Sequence, residues 1–216
     1  MKSVLIIGMG SFGKFTAMKY MELGCEVMAV DISEELINEI APYVTSAQIA
    51  DCTKPEVLKS LGVSDFDICL VAIGDNFQSS LEITSQLKEC GARFVISKAI
   101  REIQEKFLLR NGADMVIYPD KSTAERIAIR TNSDNVFDFF DLTDQISVYE
   151  VAVPKAWIGK SIIDLDVRRK YKVSIVATKK DDTVTIPDAE HVFENGENVI
   201  IIGYKEDIAR ITAARV

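Results

Sequence analysis

The sequence predicts an α/β fold, a doubly wound parallel sheet followed by a small C-terminal α+β domain. Three observations carry this. Short continuous Val/Ile/Leu runs alternate with amphipathic segments through the first 118 residues. Such runs lack the every-second-residue polarity of a half-exposed strand, so helices cover both faces of the sheet. The first run leads directly into Gly8-Met9-Gly10-Ser11-Phe12-Gly13, and Asp31 closes the second run eighteen residues after Gly13. Beyond Ser147 the pattern changes to inward–outward alternation. A strand, a glycine fingerprint opening a helix and a downstream acid together describe a Rossmann-type nucleotide site.

The predicted strands of the first part are Ser3–Ile7, Glu26–Val30, Ala47–Ala50, Ile68–Ile73, Phe94–Ser97 and Met115–Tyr118. Between them, helices are expected over about 11–23, 33–42, 54–61, 77–90 and 101–111, punctuated by Ser33, Thr53-Lys54-Pro55, Cys90-Gly91 and Asn111-Gly112. Right-handed crossovers give the strand order 3-2-1-4-5-6, with a crevice at the carboxyl ends of strands one and four. A helix follows over Lys121–Thr131. Asn135–Leu142 reads as a short apolar helix whose Phe137, Phe139 and Phe140 need a cover, expected to be a second subunit. The second part has strands at Val148–Val153, Ile175–Thr178 and Val199–Ile202, a hairpin tip at Lys179–Asp182, and a short strand end at Val184, Ile186 and Pro187. A helix over Lys160–Arg169 and an amphipathic helix through Ile208 and Ile211 complete it. The expected division is residues 1–133, a hinge helix and linker over 134–145, and residues 146–216. The last unit has a marginal core by itself, so dimerisation through it is expected.

In the fingerprint, Gly8 permits the strand-to-helix turn, Gly10 lets backbone approach phosphate, and Gly13 lets the helix lie against the sheet. Free amides at the helix start attract phosphate, and Asp31 is placed to bind ribose hydroxyls. Its charge, with no arginine following, selects against a 2′-phosphate.

The net charge of −8 argues against sequence-independent nucleic-acid binding. Residues 1–141 hold 14 basic against 21 acidic side chains. No apolar run has membrane-spanning length and the N-terminus lacks signal-peptide character, so a cytoplasmic protein reaching a membrane through a partner is expected. Cys25, Cys52, Cys69 and Cys90 show neither CxxC nor metal-ligand spacing.

The chain resembles the RCK (regulator of potassium conductance) proteins of the KtrA/TrkA potassium-uptake family. The resemblance is carried by Gly8–Gly13, Ala29-Val30-Asp31, Ala50-Asp51-Cys52-Thr53 and Val71–Asn76. It continues through Ser97-Lys98-Ala99, Asn111–Asp114, Tyr118-Pro119-Asp120 and Ile158–Arg168, and so covers essentially the whole chain. It implies an adenine nucleotide, NAD(H) or ATP/ADP, and a homo-oligomer, often an octameric ring, beneath a potassium-translocating membrane protein. The residues implied as cofactor-binding are Gly8, Met9, Gly10, Ser11, Phe12, Gly13, Asp31, Ile32, Asp51, Cys52, Thr53, Ile73, Gly74, Asn76 and Lys98.

The pattern also has departures. Ser11 stands where ATP-discriminating members often carry an arginine, with Lys14 one turn later as the nearest substitute. Asp120 stands where a glutamate is linked to a divalent cation; by itself it reads equally as a helix N-cap. Ile162, Ile163, Arg168 and Pro187 match positions that hold cyclic di-AMP in some members. The basic Arg168-Arg169-Lys170 cluster reads either as a phosphate site or as a solvated helix end.

No catalytic residue is expected. His191, the only histidine, has no triad or metal set around it in sequence, and no Walker lysine motif is present. The alternative is an NAD-dependent oxidoreductase acting on a small substrate, which would need an acid/base group near the nicotinamide.

Overall fold

A computed structural model describes residues 1–132 and 135–212 of the chain. The chain divides into two compact units, Met1–Lys121 and Ser122–Val216. The expected boundary at 133–134 lies outside the described residues.

The first unit is built from β1 (Ser3–Ile7), α1 (Ser11–Glu22), β2 (Glu26–Asp31), α2 (Glu34–Ile40), β3 (Ser46–Ile49) and α3 (Pro55–Ser60), followed by β4 (Ile68–Val71), α4 (Phe77–Glu89), β5 (Val95–Lys98), α5 (Glu102–Arg110) and β6 (Met115–Ile117). Its sheet is parallel with the order β3-β2-β1-β4-β5-β6, the predicted topology.

The period of two along β1 explains the two cores. Leu5 and Ile7 join Leu58 of α3 and Ile83 and Leu87 of α4 on one face. Val4 and Ile6 join Ala17 of α1 and Ile37 and Ile40 of α2 on the other. Val4, Leu5 and Ile6 are completely buried, each contributing roughly 1.5–3 kcal/mol of transfer free energy. Between α4 and β5 the buried Thr84 and Ser97 hydroxyls satisfy one another at 2.8 Å.

α6 (Pro119–Asn132) carries the chain across the division. In the second unit follow β7 (Val136–Asp141), β8 (Ile146–Ala152), α7 (Ile162–Leu165), α8 (Val167–Tyr171), β9 (Val173–Lys180), β10 (Thr183–Thr185), β11 (Asn198–Tyr204) and α9 (Lys205–Thr212). Its antiparallel sheet has the order β10-β9-β11-β8-β7. Trp157, Phe193, Val199, Ile201 and Ile208 form its core, with the Trp157 ring tilted on Phe193 and Tyr171 at 5.5 and 5.0 Å. The tip of the β9–β10 hairpin has Asp181 and Asp182 at φ 47° and 64°, the left-handed pair that a twisted two-residue turn requires.

Three expectations are corrected here. The segment expected as a hinge helix, Asn135–Leu142, contains the edge strand β7 instead. Its β-branched and aromatic side chains favour a pleated surface, and Phe139 gains a cross-strand stack on Tyr149 at 5.2 Å. A register shift between Val136 and Asp138 leaves Phe137 as the extra residue of a bulge, which hid the strand alternation. Phe137 and Phe140 are exposed, while Phe139 is half-buried against Tyr149. Second, the helix expected over 160–169 is broken into α7 and α8 at Asp166, whose φ of 43° is left-handed. Third, β10 ends at Thr185, so Ile186 and Pro187 lie beyond the strand.

Candidate functional site

The site begins where β1 gives way to α1. Gly8 has φ 99°, and its amide donates to the Val30 carbonyl at 2.8 Å, turning the chain out of the sheet beside β2. A side chain there would also approach Ile73 and the Ala72 backbone to 3.0–3.2 Å. Gly13 serves packing: a Cβ at that position would lie 1.9 Å from the Gly8 carbonyl oxygen. At Gly10 nothing lies within 4 Å of a built Cβ, so this glycine keeps open space at the helix tip. Gly10 is the N-cap of α1 and has no side chain to cap it. The first intrahelical bond joins the Lys14 amide to the Gly10 carbonyl, so the amides of Ser11, Phe12 and Gly13 precede the helical ladder. They make the tip an anion-attracting end.

Asp31, the last residue of β2, is fixed by two backbone donors. The Met9 amide donates to its Oδ2 at 2.6 Å and the Ser33 amide to its Oδ1 at 2.8 Å. Each carboxylate oxygen keeps a further lone pair for a ligand hydroxyl. Beyond β3, Asp51 accepts from the Thr53 hydroxyl at 2.6 Å and its amide at 3.1 Å. The Thr53 hydroxyl, foremost among these donors, holds the Asp51 carboxyl below the ordinary carboxylate range. Cys52 is buried between them, and burial pushes its thiol from 9.0 up to about 12, so it lines the site as a neutral group. Gln86 of α4 ties this loop down by donating to the Thr53 carbonyl at 3.0 Å. On the other side, Asn76 caps α4 by accepting the Ser79 amide at 3.1 Å. Lys98 ends β5 with its ammonium 5.6 Å from the Phe12 ring centroid.

These elements enclose a cavity of about 770 Å³. Of the residues expected at the site, Gly8, Gly10, Ser11, Phe12, Asp31, Ile32, Asp51, Cys52, Thr53, Ile73, Gly74, Asn76 and Lys98 all line it. The volume lies in the ordinary range of small-molecule sites, roughly 300–1,000 Å³. Met9 and Gly13 do not line it: Met9 turns its side chain into the core and contributes only its amide to Asp31. Leu36, Ile83 and Ile100 line it too, none of them singled out by the sequence pattern, which gave the first two only as positions within helices. Ser33, read as a helix start, also lines it while capping α2 through the Leu36 amide at 3.4 Å.

Other expectations fall elsewhere. Lys14 does not line the cavity and is paired with Glu39 of α2, so it does not replace an arginine at Ser11. Asp120 lies inside the first turn of α6, one residue past the helix start, and is therefore not its N-cap. Among the described residues no group of three or more His, Cys, Asp or Glu is arranged to hold a metal ion. Ile162, Ile163, Arg168 and Pro187 come together along one shallow groove of about 340 Å³ in the second unit. There the Arg168 Nε donates to the Ser174 hydroxyl at 3.2 Å. His191 sits 2.9 Å from the buried Glu197 carboxylate with its ring edge on Phe193, a packing position within the second unit. No helix among the described residues is long and apolar enough to cross a membrane.

The TrkA-N domain family matches residues 4–119 and the TrkA-C domain family residues 146–214. The chain is 39% identical over 210 residues to Ktr system potassium uptake protein C of Bacillus subtilis (strain 168), covering 97% of this chain and 95% of that protein. It is 30% identical to Ktr system potassium uptake protein A of Vibrio alginolyticus over 96% of this chain and 95% of that one. Among solved structures, the GsuK RCK domain superposes with a TM-score of 0.68 at 17% identity, and the GsuK channel bound to NAD with 0.70 at 16%. These span 98% and 97% of this chain but only 47% and 38% of theirs, so the likeness speaks for the fold alone. With both domain families matched in order and a Ktr protein aligned along nearly its whole length, the chain belongs to the KtrA/TrkA family of potassium-uptake proteins.

Proposed function

We propose that this chain is the adenine-nucleotide-sensing regulatory subunit of a potassium uptake system, working on a potassium-translocating membrane partner from the cytoplasmic face. The observation that carries the ligand is the pairing, across one cavity, of the unladdered amides at the α1 tip with the pre-oriented Asp31 carboxylate. Phosphate belongs at the first and ribose at the second. That GsuK, which shares this fold, has been solved with NAD and with ADP supports the ligand class. Relatives named as Ktr uptake proteins support the physiological setting.

Binding without turnover is the reading we favour over an oxidoreductase. Among the described residues the cavity is lined by no histidine, tyrosine or glutamate, its thiol is neutral, its Asp31 and Asp51 carboxylates are engaged by backbone and hydroxyl donors, and Asp75 and Lys98 are its remaining ionisable groups. Coupling then rests on differential affinity of the nucleotide for two shapes of a homo-oligomer, a dimer or an octameric ring of dimers. The exposed Phe137 and Phe140 on β7 are apolar surface suited to a subunit contact. For the groove at Ile162, Ile163, Arg168 and Pro187 we propose cyclic di-AMP held between two copies, supported by Arg168 standing beside an apolar floor. A divalent cation at Asp120 needs ligands from a second copy or from the nucleotide phosphates.

The deciding experiment is calorimetric titration of the purified protein with ATP, ADP, NADH, NAD⁺ and cyclic di-AMP, alongside Asp31→Ala. Micromolar binding of an adenine nucleotide that Asp31→Ala weakens supports the reading. No binding of any of them rejects it, and steady nicotinamide turnover would favour the oxidoreductase.

A further inference from the structure

We infer that Glu197 is a positioning residue for the groove of the second unit: through His191 it fixes the chain segment that forms one lip of that groove. This rests on the cyclic di-AMP reading above. Residues 186–197, between β10 and β11, form neither helix nor strand. The segment supplies Pro187, Asp188 and Ala189 to the groove, beside Ile162, Ile163 and Arg168. It also closes the start of α7. The Ile162 and Ile163 amides, at the open end of that helix, donate to the His191 and Ala189 carbonyls at 3.1 and 3.0 Å. Further along, Val192 bridges Ser161, and the Phe193 carbonyl accepts the Gly159 amide at 2.8 Å. One segment therefore sets both the lip and the seat of the helix it lines the groove with.

Glu197 is the fixed point. It directly precedes β11, its carbonyl accepts the Val153 amide at 3.0 Å, and it is only 5% exposed. A carboxylate is costly to bury without partners. Here one oxygen accepts the Glu194 amide at 3.0 Å, and the other lies 2.9 Å from the His191 Nε2. That nitrogen is itself buried, yet the contact is not aligned as a straight hydrogen bond, so a small shift of the segment completes or loses it. The His191 ring stands edge-on to Phe193, whose own ring packs on Trp157 in the core. The charged neighbours of the pair are Glu194, tied to Lys180, and the flanking Asp188 and Glu190. Core packing thus holds the segment at Phe193, and the carboxylate holds it at His191, nearer the groove. Removing the carboxylate loosens the lip and leaves the core packed. A lip fixed in advance spares a ligand the cost of ordering it.

The test is calorimetric titration of the whole protein with cyclic di-AMP in the wild type, Glu197→Leu, Glu197→Gln, His191→Phe and the double variant Glu197→Leu, His191→Phe. Leucine fills the place of the carboxylate with an apolar side chain, and phenylalanine keeps a ring against Phe193. Replacing a buried charge by an apolar group of similar bulk need not cost stability, so affinity and melting temperature part company. Glu197→Leu and His191→Phe should each weaken cyclic di-AMP about fivefold or more while melting within about 3 °C of the wild type. The double variant should fall no more than about twofold below either single one, because both remove the same contact. Glu197→Gln, which keeps an acceptor for the Glu194 amide and a polar group at His191, should stay within about threefold of the wild type. Should Glu197→Leu melt lower, His191→Phe carries the decision. Undiminished affinity in His191→Phe, losses that multiply in the double variant, or a Glu197→Gln protein as weak as Glu197→Leu overturns the inference and leaves the groove reading standing. A wild type that binds no cyclic di-AMP overturns both.

Discussion

Gly10 and Gly13 belong to one fingerprint yet answer different demands, and exchanging each for alanine separates them. At Gly13 the added Cβ would lie 1.9 Å from the Gly8 carbonyl oxygen and 3.3 Å from the Ala72 side chain. Real Cβ atoms essentially never come closer than 3.0 Å, so α1 must retreat by about an ångström from the turn it starts from. The obstructing atom is backbone, and no rotamer change relieves it. Overpacking of this kind costs about 1–3 kcal/mol, and a contact this short belongs at the top of that range. Alanine's better helix propensity returns about 1 kcal/mol, leaving a net loss near 2 kcal/mol. For a unit of this size that lowers the midpoint by roughly 6–10 °C. At Gly10 no atom lies within 4 Å and φ is −60°, so Gly10→Ala should melt within about 3 °C of the wild type. Its methyl instead occupies the approach to the helix amides and should reduce nucleotide affinity about tenfold or more. Calorimetric melting with nucleotide titration on the same samples reads both quantities. A Gly13→Ala protein melting within 2 °C or so of the wild type would refute the packing argument. Gly10→Ala with undiminished affinity would refute the phosphate position.

Further consequences are open to measurement. Asp31→Asn should keep the fold but weaken nucleotide binding about tenfold, since the amide retains one acceptor for the Met9 or Ser33 amide and loses the charge. Titration that finds no change would contradict the ribose assignment. Burial raises the Cys52 and Cys69 thiols from 9.0 to about 12 in the folded chain. Between those values the unfolded chain has released protons that the folded chain still holds, so stability is intact below pH 9 and falls as pH rises toward 12. The Cys52→Ala, Cys69→Ala double variant should show a flatter decline in denaturant midpoint over pH 9–10.5. An unchanged slope would dismiss the thiols as its source. In the second unit, Ile201→Ala should cost about 2–5 kcal/mol, because Ile201 is fully buried beside Trp157 and Phe193. The single tryptophan reports that loss directly, and a fluorescence midpoint equal to the wild type's would count against the assigned core.

What the sequence made legible follows from where periodicity has one physical meaning. A parallel strand covered on both faces reads as an uninterrupted apolar run, so β1, β2 and β4 were visible and the strand order followed from handedness. The glycine spacing and Asp31 were equally readable, because each answers a requirement that few other residue types meet. What spacing could not say is which fingerprint residue faces the ligand. Met9 stands between two glycines, yet its side chain fills the core while only its amide reaches Asp31. Ser33, Leu36 and Ile83 escaped because the same side chains cap or pack a helix as well as line the cavity.

The misreading of β7 has a more general cause. Val136, Phe137, Phe139 and Phe140 crowd five positions, a density that suits one face of a helix as well as a strand interrupted by a bulge. Only the partner strand distinguishes the two: Phe139 is stacked because Tyr149 lies opposite, ten residues away in sequence. The ambiguous apolar spacing was therefore resolved by a tertiary contact, in the direction that the β-branched and aromatic side chains already favour. The consequence reaches function. A helix would offer its apolar residues as one stripe, whereas an edge strand offers unpaired backbone donors and acceptors together with Phe137 and Phe140. Any subunit contact made here would thus join hydrogen-bonding backbone to aromatic surface. Proline scanning along β7 is the probe that would register such a contact, and a helical seam would be blind to the backbone part of it.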